Sequence, residues 1–208
     1  MRSPSFAAVI LAAGYFSRMG RDKALLPWRG GTFISAAIDS LSPHADFVLV
    51  VSGDNTETLK PIVYSKGAFL VRNPEPSRGQ FSSLRVGLNE VLNRGRDTAI
   101  VTLVDRPAAD RDTVAQIKRE YLQAITPAQL LGAETDTWAV VPEFQGRHGH
   151  PFIAGREMIE AFLRAPLTHT ARDVEHGHAT HIRYIAVVDP KIVLNVDTPE
   201  EYDSLTQE

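Results

Sequence analysis

The chain has 208 residues and no cysteine, which excludes disulfides, thiolate metal sites and a cysteine nucleophile. A formal net charge of −3, with 43% hydrophobic and 23% charged residues, is typical of an ordinary globular protein and disfavours a general nucleic-acid binder. The chain opens without a signal-peptide pattern, and no apolar run is long enough to span a bilayer. We therefore expect a cytoplasmic protein, with no membrane partner, in which residues 1–208 form one domain.

Short apolar runs alternate with amphipathic segments over the first 125 residues. The pattern predicts strands at 6–11, 47–51, 68–71 and 99–104, and helices that begin near Thr32, Thr56, Phe81 and Asp112. Strands that alternate with helices predict an α/β fold with a three-layer, doubly wound, mostly parallel sheet. After residue 126 the pattern predicts strands at 138–144, 151–154, 181–188 and 192–196, with helices around 159–163 and 200–205.

The first predicted strand ends in the small residues Ala12, Ala13 and Gly14, and a loop with the cations Arg18 and Lys23 follows. A buried strand, a flexible backbone and clustered positive charge are typical of polyphosphate binding. The loop has neither the glycine spacing of a Walker A loop nor that of the dinucleotide fingerprint. It therefore predicts a third kind of nucleotide loop.

Two carboxylates lie at the ends of other predicted strands. Asp105 follows strand 99–104, and Asp197 follows strand 192–196. Ligands of parallel sheets bind at the carboxyl ends of the strands, so these two side chains are predicted to meet at one Mg²⁺. The alternative role for each aspartate is that of a turn former or helix cap. For the histidines between 148 and 181, exposure to water is favoured over a zinc site.

Five segments, taken together and in order, resemble the nucleotidyltransferase family that contains the molybdenum cofactor cytidylyltransferases and guanylyltransferases. The resemblance covers nearly the whole chain. Its motifs occupy residues 11–23, 73–88, 105–107, 149–151 and 189–200. It implies a Rossmann-like nucleotidyltransferase fold, a nucleoside triphosphate and a phosphorylated pterin as substrates, Mg²⁺ as cofactor, and transient contact with a molybdoenzyme or its chaperone.

The resemblance also implies roles for single residues. Lys23, Arg18 and Asp105 would act in catalysis, with Asp105 and Asp197 as metal ligands. His150 and Arg106 would contact the acceptor. The residues implied to contact the nucleotide are Leu11, Ala12, Ala13, Gly14, Ser17, Asn73, Gly79, Ser82 and Ser83.

The expected activity is transfer of CMP from CTP to molybdopterin, because Ala13 matches the cytidylyltransferase form, where guanylyltransferases usually carry glycine. The alternatives are a guanylyltransferase, a sugar-phosphate or methylerythritol-phosphate nucleotidyltransferase, and a non-catalytic nucleotide-binding module. The departures from the family pattern are Tyr15, Phe16, Arg106 and Asn195. They affect the identity of the acceptor more than the fold.

Overall fold

A computed structural model of the protein describes residues 4–14 and 20–206. Among these residues, none of the helices combines the length and apolar character needed to cross a lipid bilayer. The strands are β1 Phe6–Ala12, β2 Pro27–Trp28, β3 Gly31–Thr32, β4 Phe47–Ser52, β5 Phe69–Arg72, β6 Thr98–Leu103, β7 Ala139–Phe144, β8 Arg147–His148, β9 Phe152–Gly155 and β10 Ile182–Ala186. The α-helices are α1 Phe33–Leu41, α2 Thr56–Ser65, α3 Gln80–Asn93, α4 Arg111–Leu131, α5 Arg156–Arg164, α6 Ala171–Gly177 and α7 Pro199–Thr206.

One eight-stranded sheet organises the structure. Its order is β10-β7-β9-β6-β1-β4-β5, and β8 pairs with β7 at the side. Strands β6, β1, β4 and β5 are parallel, whereas β9 runs antiparallel between β6 and β7. The predicted mostly parallel sheet is therefore confirmed. A separate two-stranded hairpin is formed by β2 and β3.

Helices cover both faces of the sheet. Alternate residues of β1 point to opposite sides, with Ile10 on the face that packs α1, α2 and α4, and Val9 on the face that packs α3, α5 and α6. Every residue of β1 is consequently buried, which explains its unbroken apolar run. The three-layer arrangement agrees with the sequence prediction. That the whole chain forms one domain stays a prediction.

Helix α3 packs unusually close to the centre of the sheet. A Cβ placed at Gly87 would lie 2.6 Å from a methyl group of Val9 and 2.9 Å from one of Val51. The absence of a side chain at Gly87 therefore lets α3 lie against β1 and β4. This close packing brings the first turn of α3 beside the end of β1.

The predicted strand at 192–196 is wrong. The segment Pro190–Val193 is a 3-10 turn, which Asp189 caps by accepting a hydrogen bond from the Lys191 N–H at 3.0 Å. Ile192, Val193 and Val196 are buried, because the turn and the residues after it pack onto the face of the sheet that also packs α1, α2 and α4. An apolar run is a sign of burial, and burial does not by itself require a strand. Helix α6 was not predicted, and α4 continues eight residues beyond its predicted end at 123.

Candidate active site

The carboxyl ends of β1 and β6 face the first turn of α3 across a small cavity of about 270 Å³. Seven of the residues predicted from sequence line it: Leu11, Ala13, Gly14, Lys23, Gly79, Ser83 and Asp105. Topology explains this meeting, since β1 and β6 are parallel neighbours and end at the same edge of the sheet. Ser17 and Arg18 lie outside the described residues, as do Tyr15 and Phe16.

Lys23 lies in a single 3-10 turn, Lys23–Leu25, that Asp22 caps by accepting the Ala24 N–H at 2.9 Å. The Lys23 ammonium contacts the Asp197 carboxylate, with 2.5 Å between Nζ and Oδ1. Only 15% of the Lys23 side chain is exposed, so the pair is partly shielded from water. The cation is therefore fixed at the cavity wall and is not a freely solvated surface lysine.

Asn55 braces this turn, although the sequence analysis gave it no role. Its amide donates to the Ala12 carbonyl at 3.0 Å and to the Asp22 carboxylate at 2.8 Å, and it accepts from the Gly53 N–H at 3.0 Å. Burial raises the pKa of Asp22, whereas its hydrogen bonds with Asn55 and the Ala24 N–H lower it. Asn55 belongs to a polar turn that directly follows the buried strand β4. This position in the sequence was the signal that could have identified it.

Replacing Asn55 with alanine should destabilise the protein by about 2 kcal/mol, because three groups lose a buried partner at once. Turnover should also fall, since the turn that carries Lys23 loses its brace. Urea unfolding and initial-rate measurements check both effects. Asn93→Ala is the matched control, because Asn93 is exposed at the end of α3 and should change stability by less than about 0.5 kcal/mol. Equal stability of the two variants would contradict the bracing role.

Asp105 follows β6 and turns one carboxylate oxygen into the protein. Its Oδ1 is buried, forms an ion pair with Nε of Arg106 at 3.5 Å and accepts no hydrogen bond from the described residues. The hydrogen-bonding capacity of this oxygen is therefore unused and is available to a ligand.

Arg106 is held by the segment after β10 and does not line the small cavity. Its guanidinium donates to the Ile192 carbonyl at 3.1 Å and to Oδ1 of Asn195 at 2.8 Å. Burial lowers the pKa of Arg106, while the carboxylates of Asp105 and Asp197 raise it. The two unusual residues, Arg106 and Asn195, are therefore partners of each other. That Arg106 contacts the acceptor stays a prediction.

Asp197 reaches the site by a route that differs from the prediction. The Val196 N–H donates to the Asp105 carbonyl at 2.8 Å, which brings the next residue beside the end of β6. The Glu201 carboxylate then accepts the Asp197 and Thr198 N–H groups, at 2.6 and 3.0 Å, at the start of α7. The predicted proximity of Asp197 to the nucleotide loop thus arises from a turn and a helix start.

The first turn of α3 supplies the opposite wall. Gly79 precedes it with φ of +85°, a left-handed conformation that favours glycine. Asn73 lies behind the wall and donates to the hydroxyls of Ser82 and Ser83 at 2.8 and 3.0 Å. Ser83 lines the cavity, whereas Asn73, Ser82 and the buried Ala12 lie behind the cavity wall and support it.

A larger cavity of about 980 Å³ adjoins the small one and shares the walls Leu11, Gly79, Gln80 and Leu103 with it. His150 lines this cavity. Burial and the positive charge of Arg106 lower the pKa of His150 to about 3, so the ring is neutral at physiological pH. His150 can therefore offer a hydrogen bond to a ligand but no positive charge. Gly149 before it must lack a side chain, because a Cβ there would collide with the Ile192 carbonyl.

Glu175 also lines the larger cavity, and sequence reasoning missed it. Burial raises the pKa of its carboxyl to about 7. The signal that could have found it is the capping box of α6, in which Thr170 and Asp173 exchange hydrogen bonds at the helix start.

Glu175→Gln should stabilise the protein more at pH 8 than at pH 4.5. Because the folded-state pKa lies above the ordinary value of 4.5, ionisation of Glu175 costs stability as the pH rises towards 7, and the full cost applies above 7. Glutamine removes this cost, by about 1–2 kcal/mol at pH 8. Thermal unfolding at both pH values measures the difference. An equal gain at the two pH values would contradict the raised pKa, and the exposed Glu57→Gln serves as control.

Asp105 and Asp197 fit a divalent cation. Their oxygens are hard ligands, and Oδ1 of Asp105 accepts no hydrogen bond from the described residues beside its ion pair with Arg106. In that part of the chain, no group of three or more His, Cys, Asp or Glu side chains could hold a metal. Mg²⁺ does not need such a group, because one or two carboxylates and substrate phosphates suffice.

Comparison with solved structures identifies the class of fold. Rv0371c from Mycobacterium tuberculosis superposes with a TM-score of 0.77 at 26% identity, over 98% of this chain and 99% of that one. A nucleotidyl transferase from Methanothermobacter thermautotroptrophicus superposes with a TM-score of 0.77 at 22% identity, over 99% and 97%. The fold is that of the α/β nucleotidyltransferases.

The sequence profile of the MobA-like NTP transferase domain matches residues 8–182, and the chain belongs to this family. Purine catabolism protein PucB of Bacillus subtilis is 26% identical over 98% of this chain and 97% of its own. The molybdenum cofactor cytidylyltransferase of Escherichia coli is 22% identical over 93% and 92%, and the guanylyltransferase of Rhodobacter capsulatus is 28% identical over 94% and 92%. The family resemblance is therefore confirmed.

Proposed function

We propose that the protein is a divalent-metal-dependent cytidylyltransferase that transfers CMP from CTP to the phosphate of a pterin acceptor and releases pyrophosphate. The observation that carries the proposal is the small cavity in which Lys23, Asp105 and the end of β1 meet. The adjoining larger cavity supplies room for a second substrate. The cytidylyltransferase relative in Escherichia coli supports the choice of reaction. Ala13 carries a methyl group where guanylyltransferases usually have glycine, which leaves less room for a purine and supports a pyrimidine.

The proposed reaction needs alignment and charge neutralisation more than a base. A phosphate oxygen of the acceptor, already anionic, attacks the α-phosphorus of CTP. A new P–O bond forms there, the P–O bond to the β-phosphate breaks, and the electron pair leaves with pyrophosphate. Lys23 stabilises the charge that develops on the α-phosphate. The triphosphate competes with Asp197 for the Lys23 ammonium, since the two are paired in the structure.

Asp105 and Asp197 would hold the divalent cation, and Arg18 would contact the leaving pyrophosphate. A bound Mg²⁺ supplies charge neutralisation for the phosphates. Rv0371c in complex with manganese superposes on this chain with a TM-score of 0.74, and this complex supports a metal of this kind. The cavity-lining residues Leu11, Ala13, Gly14, Gly79 and Ser83 would contact the base and ribose.

Substrate profiling tests the proposal. The purified chain is incubated with CTP, GTP, ATP or UTP and with molybdopterin, a sugar phosphate or methylerythritol phosphate, and pyrophosphate release is measured with Mg²⁺. We expect the highest rate with CTP and molybdopterin. Faster release from GTP would identify a guanylyltransferase, and preference for another acceptor would overturn the pterin assignment. CTP binding without turnover on any acceptor would indicate a non-catalytic module.

A further inference from the structure

The larger cavity contains a carboxyl group that the transfer chemistry does not use. Glu175 lies on its wall, and its carboxyl has no hydrogen-bond or ion-pair partner in the described part of the chain. The charge of Arg172, one turn earlier, acts on it only at longer range. Partial burial disfavours the charged form of this carboxyl, so a hydrogen-bond donor supplied by a ligand would stabilise it.

The position of Glu175 is well defined by its helix. Val174, the preceding residue, is buried in the core beneath α6. At the helix start, Asp173 accepts the Thr170 N–H at 2.7 Å, and the Thr170 hydroxyl accepts the Asp173 N–H at 3.2 Å. These contacts hold the backbone that carries Glu175 at the cavity wall.

The surroundings of Glu175 suit a flat, charged ligand. The rings of His148 and Tyr184 stack at 4.1 Å with 13° between their planes, and both line the cavity. Phe81 and Phe152 add apolar surface. Three arginines bring positive charge to the same cavity: Arg78, Arg147 and Arg172. The volume of about 980 Å³ far exceeds the needs of a phosphate alone.

We propose that Glu175 selects the acceptor by accepting two hydrogen bonds from an exocyclic amino group and the adjacent ring N–H of a flat nitrogen heterocycle. This inference rests on the proposed function, which assigns the larger cavity to the phosphorylated acceptor. A carboxylate pairs with two parallel N–H donors in the same way as with a guanidinium. A heterocycle with an oxo group in place of the amino group would present an acceptor to an acceptor, which is unfavourable.

Fluorescence titration with pterin and lumazine tests the proposal, because the two bicycles differ at this edge, where lumazine carries oxo in place of amino. At pH 8 we expect the protein to bind pterin at least tenfold more tightly. Glu175→Gln should reduce this ratio to about one, and Glu57→Gln, on the exposed face of α2, should leave it unchanged. An unchanged ratio in Glu175→Gln, or no preference in the unaltered protein, would overturn the proposal. Tighter binding of guanosine than of pterin would also overturn it, since the cavity would then take the nucleotide.

The same variants separate this inference from the proposed function. In the pyrophosphate assay, Glu175→Gln should raise KM for the pterin acceptor and leave KM for CTP unchanged. Transfer with an unaltered pterin preference would reject Glu175 as the selecting residue and leave the transferase function standing. A pterin preference that depends on Glu175, without transfer from any triphosphate, would reject the transferase function alone.

Discussion

Lys23→Ala should lower the rate of pyrophosphate release at least a hundredfold while the protein stays folded. The proposed role of the ammonium is to stabilise charge on the α-phosphate, and loss of one preorganised contact of this kind costs about 3 kcal/mol. The ammonium lies at the cavity wall, 2.5 Å from Asp197 and 15% exposed. Its backbone is held by the Asp22 cap, which the substitution leaves in place. Initial rates with CTP and molybdopterin measure the loss.

Lys191→Ala is a matched control for this experiment. The Lys191 ammonium also contacts a carboxylate at 2.5 Å, that of Asp110, and its side chain is 14% exposed. It lines a different cavity, which contains none of the predicted site residues. We expect Lys191→Ala to change stability but to keep most of the turnover. Full activity of Lys23→Ala, or equal losses in both variants, would refute the catalytic role of Lys23.

Asp105→Asn should also lower turnover by a hundredfold or more and should weaken metal dependence. The substitution keeps the size of the side chain and removes the charge that Mg²⁺ binding requires. The buried Oδ1 of Asp105 would become part of a neutral amide, which is a poorer ligand. Turnover measured over a range of Mg²⁺ concentrations should give a higher half-saturating concentration as well as a lower maximum. Calorimetry should show weaker Mg²⁺-dependent CTP binding.

Asp97→Asn is the control, because Asp97 directly precedes β6 and Asp105 closely follows it. The Asp97 carboxylate accepts the Ser5 N–H at 3.0 Å, far from the cavity. We expect Asp97→Asn to lower stability and leave the metal dependence unchanged. Were Asp105→Asn to retain the Mg²⁺ response of the unaltered protein, Asp105 would not be a metal ligand.

Much of the fold follows from local pattern. Every residue of β1 is buried between two helical layers, so its continuous apolar run predicts a central strand. The capping of α1 by Thr32 was also predictable, and the structure shows the Thr32 hydroxyl accepting the Ser35 N–H at 3.3 Å. The parallel order of β6, β1 and β4 then brings the ends of β1 and β6 together. For this reason seven of the predicted residues line one cavity.

The segment after β10 was less predictable, because its burial comes from packing and not from strand pairing. The apolar run around Ile192 and Val196 indicates burial correctly, but its backbone forms a turn and an extended segment held by Arg106. The position of Asp197 after a predicted strand and the family resemblance both identified this residue, and only the tertiary structure decided that Lys23 pairs with it. Such a contact between residues 174 positions apart depends on the whole sheet.

The sequence by itself determined the alternation of strands and helices, the loop after β1 and the family, because each depends on neighbouring residues or on motifs in order. Only the tertiary structure decided which residues support and which face the cavities. Asn73 and Ser82 lie behind the wall, Arg106 is bound to the 190–196 segment, and Glu175 faces the larger cavity. These roles depend on long-range packing and on the removal of water around charged groups, and neither can be read from local spacing.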